Sequence, residues 1–159
     1  FCGRRRPAVF GQDRIRYLIP LPLQQLNTGS KGENMKYLWL AAGGVVGVTA
    51  RYLLASLVNE KTASGFPWGT LAVNLSGMFL AGLGAALSEH WHLAPDLRLF
   101  VFIGILGGFT TFSTFGLETL ALARTGQYLY AFAYIAASTV AGLALVAAGY
   151  ALGRISTGS

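Results

Sequence analysis

The chain has 159 residues, of which 53% are hydrophobic and only 11% are charged. Soluble domains carry roughly a quarter of their residues as charged side chains, so this composition argues against a water-covered surface and favours one in contact with lipid. The net charge of +6 does not indicate nucleic-acid binding, because six of the twelve Lys and Arg residues lie within the first 31 positions. The single cysteine, Cys2, excludes an internal disulfide framework and a cysteine-based metal site.

Residues 1–34 are basic and contain scattered prolines, without an apolar run long enough for a signal peptide. One interpretation is a basic arm that binds anionic lipid or nucleic acid. The other, which we favour, is an irregular, disordered extension translated upstream of a start at Met35; Phe1 in first position indicates a fragment or an unusual gene start. We expect residues 35–159 to form the membrane domain.

Four long apolar stretches follow, and each approaches the ~20 residues that a helix needs to cross the hydrocarbon core. The connecting segments are short and polar. The sequence therefore predicts an all-α integral membrane protein with four transmembrane helices. The predicted spans cover residues 37–58, 68–87, 99–123 and 128–152.

The basic residues from Met35 onward are evenly divided between the two sides of such a bundle. One side holds Lys36, Arg98 and Arg154, and the other holds Arg51, Lys61 and Arg124. Because the positive-inside rule acts on an imbalance of Lys and Arg, both orientations can insert, which suggests a dual-topology protein able to form antiparallel dimers. With the first 34 residues included, the count becomes nine against three and directs the amino terminus inside.

Nothing in the chain resembles the active site of an enzyme. There is no metal-ligand cluster, no phosphate-binding loop and no set of nucleophile, base and acid. His90 and His92 lie close enough to touch one metal ion, but histidines in a loop are more often simply solvated. We therefore expect a protein that is not an enzyme.

The third stretch contains the most informative segment, in which Gly107 and Gly108 precede a run of Thr, Ser and Phe up to Gly116. Adjacent glycines followed by β-branched residues weaken a helix. A break at bilayer depth is tolerated only where protein or a water-filled cavity satisfies the backbone. The alternative is close helix packing through Gly104 and Gly108. We favour a functional break in the third helix.

Phe112 and Phe115 are three residues apart and share one face of a helix. The edge of an aromatic ring is electropositive, so two such edges can line a path for a small anion. By themselves the two rings are more often lipid-facing side chains. The neighbouring hydroxyls of Ser113 and Thr114 favour the functional interpretation.

The second and fourth stretches carry polar side chains at membrane depth, namely Thr70 and Asn74, then Tyr134 and Ser138. The Asn74 amide can donate a hydrogen bond directly to an anion. Hydrogen bonding between helices is the alternative for all four side chains.

Two charged side chains interrupt the apolar stretches. Arg51 lies two turns from the predicted end of the first span, where it can line an aqueous vestibule and concentrate anions. Glu118 lies near the other end of the third span and can pair with a basic group.

Three motifs resemble the Fluc (CrcB) family of fluoride channels: Gly43–Tyr52, Pro67–Gly77 and Gly107–Phe115. The likeness covers residues 35 to about 155, in order and at the family's spacing. It implies an antiparallel, dual-topology homodimer in the cell membrane, with two pathways through which fluoride leaves the cytoplasm by passive electrodiffusion.

The resemblance also implies roles for individual residues. A central, structural sodium ion (Na+) that is not transported would be held by the backbone carbonyls of Gly107 and Thr110. Phe112 and Phe115 would present their ring edges to fluoride, and Asn74 would donate to fluoride and orient the rings. Arg51 would lie at the vestibule. The remaining polar residues of the fluoride pathway would be Thr70, Ser113, Thr114, Tyr134 and Ser138.

Two other functions remain open. A small multidrug or cation antiporter also has four helices, but it needs a titratable carboxylate within the bundle. The first two predicted spans have none, and Glu118 lies near the end of the third. A membrane subunit without transport activity is the second alternative, against which the polar residues within the spans argue.

Overall fold

The computed structural model describes residues 30–158, with side chains from residue 34 onward, so residues 1–29 of the expected extension lie outside the described part. All regular secondary structure within it is helical. Helix α1 covers Ser30–Thr62 and helix α2 covers Trp68–Trp91. The third segment, Pro95–Arg124, is divided into α3 (residues 95–109) and α4 (Phe112–Arg124). Helix α5 covers Tyr128–Thr157.

The prediction of four membrane-spanning segments is confirmed. The described residues contain four segments that are long and apolar enough, each of 24 to 30 residues. All four extend beyond the predicted spans; in α1, for example, the polar residues Asn59 and Lys61 continue the helix past the apolar stretch. Hydropathy marks where a helix meets the edge of the lipid, whereas its backbone hydrogen bonds continue further.

Two helix crossings depend on glycine. A methyl group on Gly43 of α1 would lie 2.6 Å from the Phe100 carbonyl oxygen of α3, and one on Gly104 would lie 2.9 Å from the Gly43 Cα. Between α2 and α5, Gly82 faces the backbone of Val146 in the same way. Helices in lipid have no hydrophobic driving force for association, so van der Waals contact at such close crossings stabilises their packing. These glycines therefore let both pairs of helices pack backbone against backbone.

Parts of two helices are wound as π-helices, which the residue pattern did not predict. Leu99–Leu106 of α3 and Ala137–Ala141 of α5 form these wider turns. Such turns leave some carbonyls without their usual partner and are frequent at functional sites. In α3 the wide turns lead directly into Gly107, just before the helix ends at the site described below.

Most large apolar side chains face outward. The buried cluster consists of Leu71, Leu122, Ala131 and Tyr134, whereas Leu129 is 78% exposed and many other large hydrophobic residues are similarly uncovered. An apolar surface of this extent is covered by lipid or by a partner in a stable protein. Together with the four spans, it identifies the chain as a multi-pass membrane protein.

Candidate functional site

The third membrane segment is interrupted at Thr110 and Thr111. Both residues are extended, with φ/ψ of −76°/156° and −146°/116°, between the end of α3 and the start of α4. The break lies after Gly107 and Gly108, which remain helical. Gly108 serves close packing instead, because a methyl group there would lie 3.1 Å from the Gly44 carbonyl oxygen of α1. The break and the glycine packing therefore occur together, and the β-branched threonines adopt the extended backbone.

Asn74 of α2 satisfies the backbone of the break. Its Nδ2 donates to the Thr111 carbonyl oxygen at 3.0 Å, and the Thr111 N–H donates to its Oδ1 at 2.8 Å. The side-chain amide thus bonds both backbone groups of one residue, as a neighbouring peptide group would. One amide hydrogen of Asn74 is left for another acceptor, because an NH2 group has two donors.

Thr111 also starts helix α4 in the middle of the segment. Its Oγ1 accepts from the Thr114 N–H at 3.3 Å and donates to the Thr114 Oγ1 at 2.9 Å, and the Ser113 Oγ lies 3.4 Å away. A helix that begins here directs the positive end of its dipole and its first N–H groups into the break. The exposed hydroxyls of Ser113 and Thr114 lie beside these donors.

At the break, the carbonyls of Gly107 and Thr110 lose the backbone N–H groups that would bond them in a continuous helix. In an unbroken helix the Gly107 carbonyl would accept from the Thr111 N–H, and the Thr110 carbonyl from the Thr114 N–H. Those two amides bond Asn74 Oδ1 and Thr111 Oγ1 instead. Gly107 and Thr110 therefore present carbonyl oxygens of the hard type that sodium prefers. This chemistry fits the cation site expected from the sequence.

Arg51 approaches the same place from α1. Its Nη1 donates to the Thr110 carbonyl oxygen at 3.3 Å, and the residue is half-buried. Because α1 extends to Thr62, Arg51 lies eleven residues from the helix end, about three turns, and not the two turns inferred from the sequence. The structure thus places Arg51 beside the break; its predicted vestibule role stays a prediction.

Phe112 and Phe115 lie on one face of α4, as their spacing predicted. Their ring centroids are 5.4 Å apart with planes inclined at 39°, and the Phe115 ring lies 5.0 Å from that of Tyr134. Phe112 is 84% exposed, whereas Phe115 is half-buried. The rings form a short row that leads from the surface of the chain to the buried Tyr134.

Tyr134 leads in turn to Glu118, for which the sequence suggested a basic partner. The structure supplies hydroxyls: Thr70 donates to Oε1 at 2.8 Å and Tyr134 donates to Oε2 at 2.7 Å. Both donors are buried, and they come from α2 and α5. The carboxylate of α4 thus links three helices. No spacing in the sequence could have revealed this cluster, because its two donors lie 48 and 16 positions from Glu118 along the chain.

Ser138 lies in the π-helical part of α5. Its Oγ is buried and has no hydrogen-bond partner among the described residues. A buried hydroxyl in that state retains the capacity to donate to a ligand. The predicted pathway residues therefore form two connected groups, one around Thr111 and one around Glu118, with Ser138 bonded to neither.

Comparison with known proteins identifies relatives over the membrane domain. The family described as "CrcB-like protein, Camphor Resistance (CrcB)" matches residues 38–150. A protein of Thermus thermophilus is 47% identical over 118 residues, which cover 74% of this chain and 94% of the relative. Proteins of Hahella chejuensis and Acidobacterium capsulatum are 44% and 42% identical, again over more than nine tenths of their own length. All three are named fluoride-specific ion channel FluC.

Proposed function

This chain belongs to the CrcB-like protein family, and we propose on that basis that it is a fluoride-specific channel of the cell membrane. Fluoride would leave the cytoplasm down its electrochemical gradient, without a chemical reaction. The observation that carries the proposal is the break at Thr110 and Thr111, where hydrogen-bond donors and ring edges meet at membrane depth.

The arrangement of donors suits fluoride. This anion is small and strongly hydrated, so a pore must replace its water with several donors in succession. Asn74 has a spare amide hydrogen, Ser113 and Thr114 are exposed beside the first turn of α4, and Phe112 and Phe115 offer ring edges. None of these groups carries a fixed charge, so each binds weakly enough for the ion to move on.

The hydroxyls of the second group continue this pathway. Thr70 and Tyr134 each donate to Glu118, and the Phe115 ring contacts Tyr134. A hydroxyl reorients easily, so either can turn from the carboxylate to an arriving fluoride ion. Ser138 would add a further donor from α5.

We also propose that two copies of the chain assemble as an antiparallel, dual-topology homodimer with two pathways. In one copy the polar Ser113 and Thr114 and the Phe112 ring are exposed at membrane depth, where lipid would offer the hydroxyls no partner beyond the Thr111 side chain. A second copy covers them. Arg51 now lies near the middle of its span, so the basic residues from Met35 onward count three against two, and the orientation bias stays small.

The Gly107 and Thr110 carbonyls would hold the structural sodium ion of this dimer. One chain offers two oxygens, and an identical chain related by a two-fold axis offers two more. Sodium bound there would neutralise carbonyl dipoles and hold the two breaks together, without taking part in conduction.

Fluoride efflux from liposomes tests the proposal. Purified protein is reconstituted with sodium present, and a fluoride electrode follows the release of fluoride. An ionophore lets K+ leave with fluoride, so that no membrane potential builds up. Chloride is the control anion. Rapid fluoride release with no chloride release is expected. A dimeric preparation that releases no fluoride would contradict the proposal.

A further inference from the structure

Three residues of α1 share the face that meets the third membrane segment. Gly43, Gly47 and Arg51 follow one another at intervals of four residues, which places them in one row along the helix. Gly43 and Gly47 lie against the backbone carbonyls of Phe100 and Ile105. Arg51 continues the row by one turn, so the close crossing delivers its guanidinium to the end of α3.

Arg51 bonds the Thr110 carbonyl, which is one of the two carbonyls that lose their usual helical hydrogen bond at the break. Thr114 N–H, which would bond the Thr110 carbonyl in a continuous helix, bonds the Thr111 side chain. Arg51 Nη1 donates to that carbonyl in its place at 3.3 Å. A basic side chain this deep in a span is costly and needs such a partner. One oxygen therefore faces both the guanidinium and the proposed sodium site.

We propose that Arg51 is a positioning residue that competes with sodium for the Thr110 carbonyl oxygen, and thereby sets how tightly the dimer binds sodium. The inference rests on the proposed function, specifically on its sodium site. Arg51 holds the carbonyl in the sodium-free protein and so keeps Thr110 extended.

The competition is electrostatic and not steric. A carbonyl oxygen has two lone pairs, so the geometry allows two partners. Two positive charges on one oxygen repel each other, however, and screening by salt is weak for a half-buried group. The sodium affinity of the wild-type protein is therefore lower than the carbonyl oxygens alone would give.

The test measures sodium binding without measuring transport. The melting temperature of the full-length dimer in detergent is followed while sodium chloride replaces N-methylglucamine chloride at constant ionic strength, because a ligand of the native state raises it by mass action. In Arg51→Gln the sodium midpoint should fall about tenfold, the size expected for one unit charge removed from the vicinity at an intermediate effective dielectric constant.

Two further variants make the result interpretable. Lys61→Gln removes the same charge from the exposed end of α1 and should leave the midpoint unchanged. Arg51→Lys keeps the charge but replaces the planar fork with a strongly hydrated ammonium group that holds the carbonyl less well, so a fall of about threefold is expected. If Arg51→Gln yields no folded dimer, Arg51→Lys decides alone.

An unchanged or raised sodium midpoint in a folded Arg51 variant overturns the proposal. The guanidinium would then have no effect on sodium binding or would strengthen it. A wild-type protein whose melting temperature ignores sodium overturns it together with the sodium site. Fluoride efflux from the same preparation then shows whether the channel function itself stands.

Discussion

The crossing of α2 with α5 and the junction of α3 with α4 are built in different ways within the same membrane. At the crossing, Gly82 and Gly149 lie against the backbone of the opposite helix. At the junction, the side chains of Asn74, Arg51 and Thr111 bond backbone groups that no helix satisfies.

The difference follows from the absence of water in the bilayer core. An intact helix satisfies its own backbone, so two intact helices need only small residues to approach each other. A broken helix frees N–H and C=O groups, and each one needs a partner from a side chain or an ion. The crossing of α2 with α5 therefore stabilises the fold, whereas the junction of α3 with α4 has N–H and C=O groups that can bind ions. The four predictions below test this division, beginning with the largest effect.

Gly149→Val should abolish the folded protein. Its side chain would meet the Phe79 carbonyl oxygen and approach the Leu83 amide, both of which are backbone atoms that cannot turn aside. Overpacking of this kind costs about 3 kcal/mol. Yield and monodispersity after detergent extraction measure the loss. Gly65→Ala is the control, since open space surrounds Gly65; equal yields of the two variants would contradict a tight crossing.

Asn74→Ala should destabilise the protein by about 2 kcal/mol, because both backbone groups of Thr111 lose their partners. Fluoride conduction should be lost as well, since the break no longer has a defined geometry. Thermal melting and liposome efflux measure the two effects. Ser76→Ala is the matched control on the same helix, because the Ser76 hydroxyl bonds only carbonyls of α2; a similar loss there would argue against a specific role for Asn74.

Phe112→Ile should lower fluoride conduction about tenfold, the factor that corresponds to an aromatic contact of ~1.4 kcal/mol. The melting temperature of the protein should change little, because the ring is 84% exposed in one chain. Phe115→Ile should reduce both quantities, since that ring also contacts Tyr134. Undiminished efflux in both variants would remove the rings from the pathway.

Glu118→Gln should have the smallest effect, about 1 kcal/mol in stability and less than about tenfold in fluoride conduction. The Gln carbonyl still accepts from one of the two hydroxyls, and the other can rotate to accept from the amide. Fluoride efflux and melting measure both. Complete loss of transport here, with Phe112→Ile and Asn74→Ala active, would favour the proton-coupled antiporter.

Much of the junction was predictable from residue types. The glycine, threonine and phenylalanine run indicated a break, and the i, i+3 spacing placed Phe112 and Phe115 on one face. The break lies within that run, at Thr110 and Thr111, whereas Gly108 stays helical and packs against α1. The part played by Glu118 was not predictable, since its donors lie far away along the chain.

The sequence alone determined that the chain crosses a membrane four times and that its third segment carries a polar break, because apolar length and backbone propensity are local properties. Tertiary structure decided what satisfies that break. Asn74 reaches Thr111 only because α2 passes beside it, and Arg51 reaches Thr110 only because glycines bring α1 against α3. A freed N–H takes whichever acceptor, and a freed carbonyl whichever donor, the packing brings within about 3 Å, and that choice is made between helices.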